Sequence, residues 1–329
     1  MVMSKILSGR GSRRTGWLGC ALALLIAAPA AAQDFPTRPI TMIVAFAAGG
    51  YADSVARIIG TRLGERIGQN VVIENRGGAG GNIAGGLVAH ASPDGYTLLV
   101  TTSSVAVNDA YYKNKVFSAS ELKAIAIPGG APETLSVKPD HPAKTLADLI
   151  ASARGRSLDY ASAGVGTSSH VAAAYFFKEL AKINTVHVPF QGGAPAINAV
   201  MGGHVEVLVG TLPGYAGQFR SGAMRALAVA SEKRVPEFPD IPTYGEGGYP
   251  GFAAETWVGV FAPARIDDVI AAKLNAAINE IIKEPATEER LRALSLQTRT
   301  RDLAVSNAYF RSEVADWAKR VQAVGISAE

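Results

Sequence analysis

Residues 40–68 read ITMIVAFAAGGYADSVARIIGTRLGERIG, and this stretch decides the fold class. Ile40 to Phe46 is a nearly continuous apolar run, as expected of a strand buried on both faces in a parallel sheet. A glycine-rich turn follows, and Asp53 is expected to open a helix as its N-cap, orienting the turn before it. Val55, Ile59, Leu63 and Ile67 then recur every four residues, which gathers them on one helical face, and Gly68 is the stop. Strand, polar turn and amphipathic helix form the repeating unit of an α/β protein whose helices cover a parallel sheet.

The same alternation continues outward from this unit. Strands are expected at Val71 to Glu74 and Tyr96 to Thr101, with a helix from Asn82 to Ala91 between them. A second series starts near Thr134, with a strand to Lys138, a helix from Leu146 to Arg154, a strand from Leu158 to Ser162 and a helix from Ser169 to Lys182. Strands at Thr185 to Val188, Val205 to Val209 and Arg225 to Ala230 follow. From Thr256 a strand to Phe261, a helix from Asp267 to Lys283 and a C-terminal helix carrying Val314 and Trp317 return to complete the first unit. The expected architecture is two doubly wound α/β domains joined by a hinge, residues 34–133 with 256–329 forming one and residues 134–255 the other. The chain crosses between them near Glu133 and near Glu255.

Before this body, Lys5, Arg10, Arg13 and Arg14 precede an apolar run from Trp17 to Ala28 that ends in Ala30, Ala31 and Ala32. That order is a secretory signal peptide, expected to be removed near Ala32 and to send the chain to the periplasm. The run is too short for a bilayer-spanning helix, which needs about 20 apolar residues. Arg13 and Arg14 leave both the general and the twin-arginine export routes open. The only cysteine, Cys20, lies inside the signal. The whole chain has 32 basic and 28 acidic residues, but four of the basic ones and no acid lie in the signal, so the remainder is formally neutral. A nucleic-acid binder would carry a net basic face, and no nucleic-acid partner is expected.

Polar turns carry the chemistry. In open α/β sheets ligands sit at the carboxyl ends of strands, where turns lead into helices. Ala48, Gly49, Gly50 and Tyr51 lie in the first such turn, and Ser103 and Ser104 in another. Ser162, Gly166, Thr167, Ser168 and His170 follow a strand of the second series, Gln191 follows the next, and Thr211 ends the strand after that. Glycine lets backbone N–H groups approach an anion, and helix amino ends favour negative charge. A small carboxylate is therefore the expected guest. His170 could offer a ring N–H to it or bond the turn beneath it. Phe46 is read as core, with the alternative of covering an apolar ligand body, whereas Tyr51 is placed in the pocket.

Enzyme chemistry finds less support. Gly77 to Asn82 gives no clean G-x-G-x-x-G and no acid closes the next strand. There is no G-x-S-x-G around Ser103, Ser104 or Ser162, and the five histidines have no triad or H-E-x-x-H spacing. No catalytic residue, cofactor or metal is expected. His187 reads as a packed strand residue, and His90, His141 and His204 as surface or turn positions.

Taken in order, several motifs resemble the solute receptors of tripartite tricarboxylate transporters, the Bug family. They are Pro39-Ile40 with the Gly49-Gly50 to Asp53 loop, Glu74-Asn75-Arg76 with Gly78 to Asn82, and Pro93-Asp94-Gly95-Tyr96. Tyr160-Ala161-Ser162 through His170, His187 to Phe190, and Pro242-Thr243 with Glu246 and Gly248 complete the match, which spans nearly all of the chain after the signal. The resemblance implies a monomeric periplasmic receptor that closes on a mono- or dicarboxylate and hands it to a membrane permease of one large and one small subunit. It implies that Phe46 to Asp53 and Ser162 to His170 grip one carboxylate, with Ala48, Gly49, Gly50, Ser103 and Ser104 on one wall and Gly166, Thr167, Ser168, His170 and Gln191 on the other. The family often has an aspartate near the end of the strand that here finishes at Thr211. Its absence disfavours an amine-bearing ligand, and Tyr51, at an often small position, suits a longer or aromatic dicarboxylate. A receptor reporting to a membrane sensor kinase would share every pocket residue, and an exported enzyme of the same fold is a third reading.

Overall fold

A computed structural model describes residues 35–328, so the signal peptide and its cleavage point near Ala32 lie outside the described residues. The chain opens with β1 (Ile40–Val44), α1 (Tyr51–Ile67), β2 (Val71–Asn75), α2 (Asn82–Ala89), β3 (Thr97–Thr102), α3 (Ser104–Tyr111) and β4 (Leu122–Val137). It continues through α4 (Leu146–Ala153), β5 (Ser157–Ser162), α5 (Ser168–Tyr175), β6 (Asn184–Pro189), α6 (Gly193–Met201), β7 (Val207–Thr211), α7 (Leu212–Arg220) and β8 (Arg225–Val229). It finishes with β9 (Glu255–Pro263), α8 (Asp268–Lys283), α9 (Pro285–Ala293), β10 (Gln297–Thr298) and α10 (Leu303–Val324).

Strands pair in the order β2-β1-β3-β9-β4-β7-β5-β6, with β8 and β10 also pairing β4. The βα units give parallel pairs, β1 with β2 and β3, and β5 with β6 and β7. Both connecting strands run antiparallel to their neighbours, so the sheets are mixed rather than purely parallel. The decisive element is β4, a 16-residue strand. Its first part pairs with β9 as far as Pro132 opposite Glu255, and from Glu133 opposite Thr211 it pairs with β7. One strand thus belongs to both sheet halves, and residues from Arg38 onward hold together as one compact unit.

Helix α1 buries Val55, Ile59 and Leu63 as its four-residue spacing requires. It starts at Tyr51 with Gly50 as its N-cap, three residues before the expected cap Asp53, which lies inside the first turn. Helix α5 is shorter than expected, because Phe176 to Leu180 forms a single wide π-turn. Phe176 and Phe177 are both buried there, and Phe176 packs on Tyr244, Tyr249 and Phe252 with ring centroids 4.7, 4.8 and 5.3 Å away. Trp257 on β9 is fully buried and donates its indole N–H to Glu313 of α10 at 2.7 Å, which fastens the returning segment to the first half.

Local chemistry sets the helix ends. Thr145 caps α4 by accepting the Asp148 N–H at 3.1 Å, while the Asp148 carboxylate accepts the Thr145 N–H at 3.0 Å. Two orphan donors are satisfied by this exchange. Thr145→Ala is expected to cost about 1 kcal/mol, read as a lower urea midpoint at unchanged slope.

Candidate functional site

The amino end of α1 is built to leave donors free. Gly50 is extended (φ −76°, ψ 174°) and provides no side-chain cap. The first-turn N–H groups of a helix have no carbonyl behind them, and among the described residues no side-chain oxygen caps them here. Ala48 and Gly49 are exposed in front of this end, with Gly49 in the left-handed region (φ 77°) that favours glycine.

Asp53 holds that loop. Its buried carboxylate accepts the Gly49 N–H at 2.8 Å, the Arg57 guanidinium at 2.9 Å and the Asn75 amide at 2.9 Å. Asn75 also donates to the Phe46 carbonyl at 3.0 Å. Burial by itself raises the Asp53 pKa, but the bonds from Arg57, Gly49 and Asn75 outweigh it and the net shift is downward. The role expected of Asp53 is therefore corrected: it caps no helix, yet it still orients the loop. Its charge is matched by Arg57, so it does not spoil the helix end for an anion.

Ser103 and Ser104 are buried at the start of α3. The Ser104 hydroxyl oxygen accepts the Ser168 N–H of α5 at 3.4 Å, which joins the two halves of the fold. The Ser103 hydroxyl has no partner among the described residues, nor does the side-chain oxygen of Asn108, whose amide donates to the Gly80 carbonyl at 3.0 Å. Gly80 itself abuts the second half: a Cβ there would lie 2.9 Å from the Val165 carbonyl oxygen. Gly166 is as close, since its Cβ would meet the Asn108 side-chain oxygen at 3.0 Å and the Tyr112 ring at 3.1 Å.

On the second wall the side chains are spent internally. Thr167 caps α5, accepting the His170 N–H at 3.3 Å and donating to the Gly164 carbonyl at 2.8 Å. The Ser168 hydroxyl pairs with Thr256 at 2.8 Å, and Ser162 with His187 Nε2 at 2.8 Å. His170 Nδ1 accepts the Gly166 N–H at 3.3 Å, which places the ring proton on Nε2. The ring stacks on His187 at 3.9 Å between centroids, with Tyr160 beyond and Tyr111 edge-on. Burial, reinforced by His187, pushes His170 down to about 3, and burial pushes His187 down to about 4. Both rings are neutral at pH 7, so His170 brings no positive charge to a carboxylate. His141, expected at a surface or turn position, lies in a turn but is buried and bonds Glu206 at 3.0 Å.

Phe46 is half-buried against the main core. Tyr51 is half-buried too, with its hydroxyl inside the protein and without a partner; burial, then the charges of Glu255 and Glu133, hold that phenol well above its ordinary pKa. Gln191 is exposed and Thr211 half-buried at the amino end of α7, where it makes no side-chain cap. Asn108, Gly80, Glu133 and Thr256 join the loops without having been singled out as ligand contacts in the sequence.

A separate open groove of about 700 Å³ is lined by Pro132, Lys233, Glu255, Arg299, Tyr309 and Arg320, among others. Arg299 is paired with Glu255 there, at 2.6 Å, and Glu313 takes the indole N–H groups of Trp257 and Trp317. Its charges are largely answered from within, unlike the uncapped end of α1.

Residues 55–326 match the model of the tripartite tricarboxylate transporter family receptor. The chain is 35% identical over 309 residues to Protein BugT of Bordetella pertussis, covering 91% of this chain and 93% of that protein. An R. palustris protein solved with adipate superposes with a TM-score of 0.84 at 31% identity, over 89% of this chain and 99% of that one. MatC from Rhodopseudomonas palustris, with bound malate, gives 0.81 at 32% identity, over 87% and 100%.

Proposed function

This chain belongs to the tripartite tricarboxylate transporter receptor family, and on that premise we propose that it captures a small organic carboxylate, with a dicarboxylate or aromatic acid favoured, and delivers it to a two-subunit membrane permease. It works in the periplasm as a monomer, after removal of residues 1–32. Residues 34–133 with 256–329 form one lobe and residues 134–255 the other, hinged where β4 and β9 cross. The observation that carries this reading is the uncapped amino end of α1, its loop pinned by a charge-matched Asp53, on a fold whose other half meets it at Gly80 and Ser104. The adipate and malate of the two solved relatives are ligands of the same class.

Capture needs no covalent step. Backbone donors hold one carboxylate, closure excludes water, and the bonds strengthen as the local dielectric falls. A thermal-shift screen of C4 to C8 dicarboxylates and aromatic acids tests it. A ligand at a hundred times its Kd is expected to add about 2.7 kcal/mol to native-state stability, raising Tm. No response to any carboxylate would sink the reading.

A further inference from the structure

At the point where β4 changes partners stands the one acid of that strand. Glu133 is 1% exposed, between Pro132, which faces Glu255, and Thr134. Its carboxylate accepts the Ser169 hydroxyl at 2.8 Å and the Ser168 hydroxyl at 3.5 Å, both from the first turn of α5, and the Thr256 hydroxyl from β9. Three segments meet on one side chain: both crossing strands and the helix whose amino end faces the first half.

We propose that Glu133 is a positioning residue, a proton-operated latch that holds the first turn of α5 against the two crossing strands and releases it as the carboxyl ionises. The other titratable groups facing it are phenols, Tyr51 from α1, Tyr215 from α7 and Tyr244 from the segment after β8. Each is raised by burial and neutral at pH 7. Among the described residues no basic side chain contributes to the environment of Glu133, and burial, against the opposing pull of the three hydroxyls, raises its pKa to about 7. When α5 lifts from the crossing, water reaches the carboxyl and its pKa returns toward the ordinary 4.5. The latched form therefore binds the proton more tightly than the released form. Latching is strongest at acidic pH and weakens as pH rises toward about 7, approaching its limit above that. Closure on an anion at the same end of α5 gains from the same proton, since the neutral acid does not repel the guest. That second consequence rests on the carboxylate-capture reading, whereas the latch does not.

Hydrogen exchange of the ligand-free protein at pH 6 and pH 8, corrected for intrinsic exchange, reads the latch in the peptide covering residues 163–175. Two pKa values near 4.5 and 7 imply an opening equilibrium about tenfold more favourable at pH 8. Glu133→Gln keeps an acceptor oxygen and a donor but cannot ionise, so its protection is expected to be equal at the two pH values. Ser169→Ala, which removes a donor to the carboxylate, is expected to move the step to higher pH in a protein that keeps the acid. Equal pH response in the wild type and Glu133→Gln, or none in the wild type, would overturn the latch. Calorimetric titration with adipate is expected to show lower affinity at pH 8 than at pH 6, with no such change in Glu133→Gln. Absence of binding to every carboxylate of the screen, with the exchange step intact, would count against the capture reading and leave the latch standing.

Discussion

Gly80→Val is expected to weaken carboxylate binding by about a hundredfold, equivalent to about 2.7 kcal/mol. Gly80 has φ +60° in the short turn before α2, and a Cβ there would stand 2.9 Å from the Val165 carbonyl oxygen and 3.3 Å from the Gly166 carbonyl carbon. Both obstacles are backbone from the opposite half, so they cannot swing aside as a side chain would. A non-glycine residue in this region costs about 1–2 kcal/mol, and forcing volume into a filled contact about 1–3 kcal/mol more. The second cost arises only when the loops meet, so it falls on closure and not on the separate halves. Gly68→Ala is the control: its φ is +68° but nothing lies within 4 Å of its Cβ. It carries the conformational cost alone and is expected to leave the affinity unchanged, as measured by calorimetry with the best ligand of the screen.

Asp53→Ala is expected to lower stability by about 2–4 kcal/mol and to abolish measurable binding. The change removes an ionised acceptor shared by Gly49, Arg57 and Asn75. Hydrogen bonds to charged groups are worth about 1.5–3 kcal/mol each, and donors left unpaired add to the loss. Arg57 is half exposed and can turn to water, so the damage falls on Gly49 and Asn75. With Gly49 released, the loop in front of α1 loses its orientation even though the helix remains. The pKa of Asp53 is depressed in the folded state, so its stabilisation is present at neutral pH and is lost as pH falls below the ordinary carboxylate range and through the folded value. Urea unfolding at pH 7 and pH 3 checks both statements: the wild type should lose more on acidification than the variant.

Most elements are legible in the sequence because their signals are local. The apolar run at Ile40, the four-residue repeat of α1 and the glycine at its end each need only their neighbours. Of β4 only the part from Thr134 is expected from sequence, since Pro128, Gly129 and Gly130 carry no strand signal of their own. The reason for those glycines is tertiary: a Cβ at Gly129 would meet the Gln297 carbonyl of β10 at 2.2 Å, and one at Gly130 the Glu255 side chain at 2.0 Å. Neither β10 nor α9 has a periodic signal of its own. At the candidate site, the loops stand out in the sequence by their glycine and hydroxyl content, but the partners of their hydroxyls do not. Ser162, Thr167 and Ser168 bond His187, Gly164 and Thr256, partners that no spacing announces. His170 was open to two readings because a lone histidine at a helix start does not reveal its stacking on His187. Glu133 had one visible signal, a single acid inside an apolar strand, and its meaning required Ser169 and Thr256 to be seen beside it.

If the amino end of α1 and the turn before α5 hold the carboxylate, a crystal structure of the protein grown with the best ligand of the carboxylate screen shows it there. The expected result is one carboxylate group within hydrogen-bond reach, about 2.7–3.2 Å, of the α1 first-turn N–H groups and of the turn preceding α5, directly or through one water. The ligand seated instead in the groove between Arg299 and Arg320, with the end of α1 empty, would contradict it.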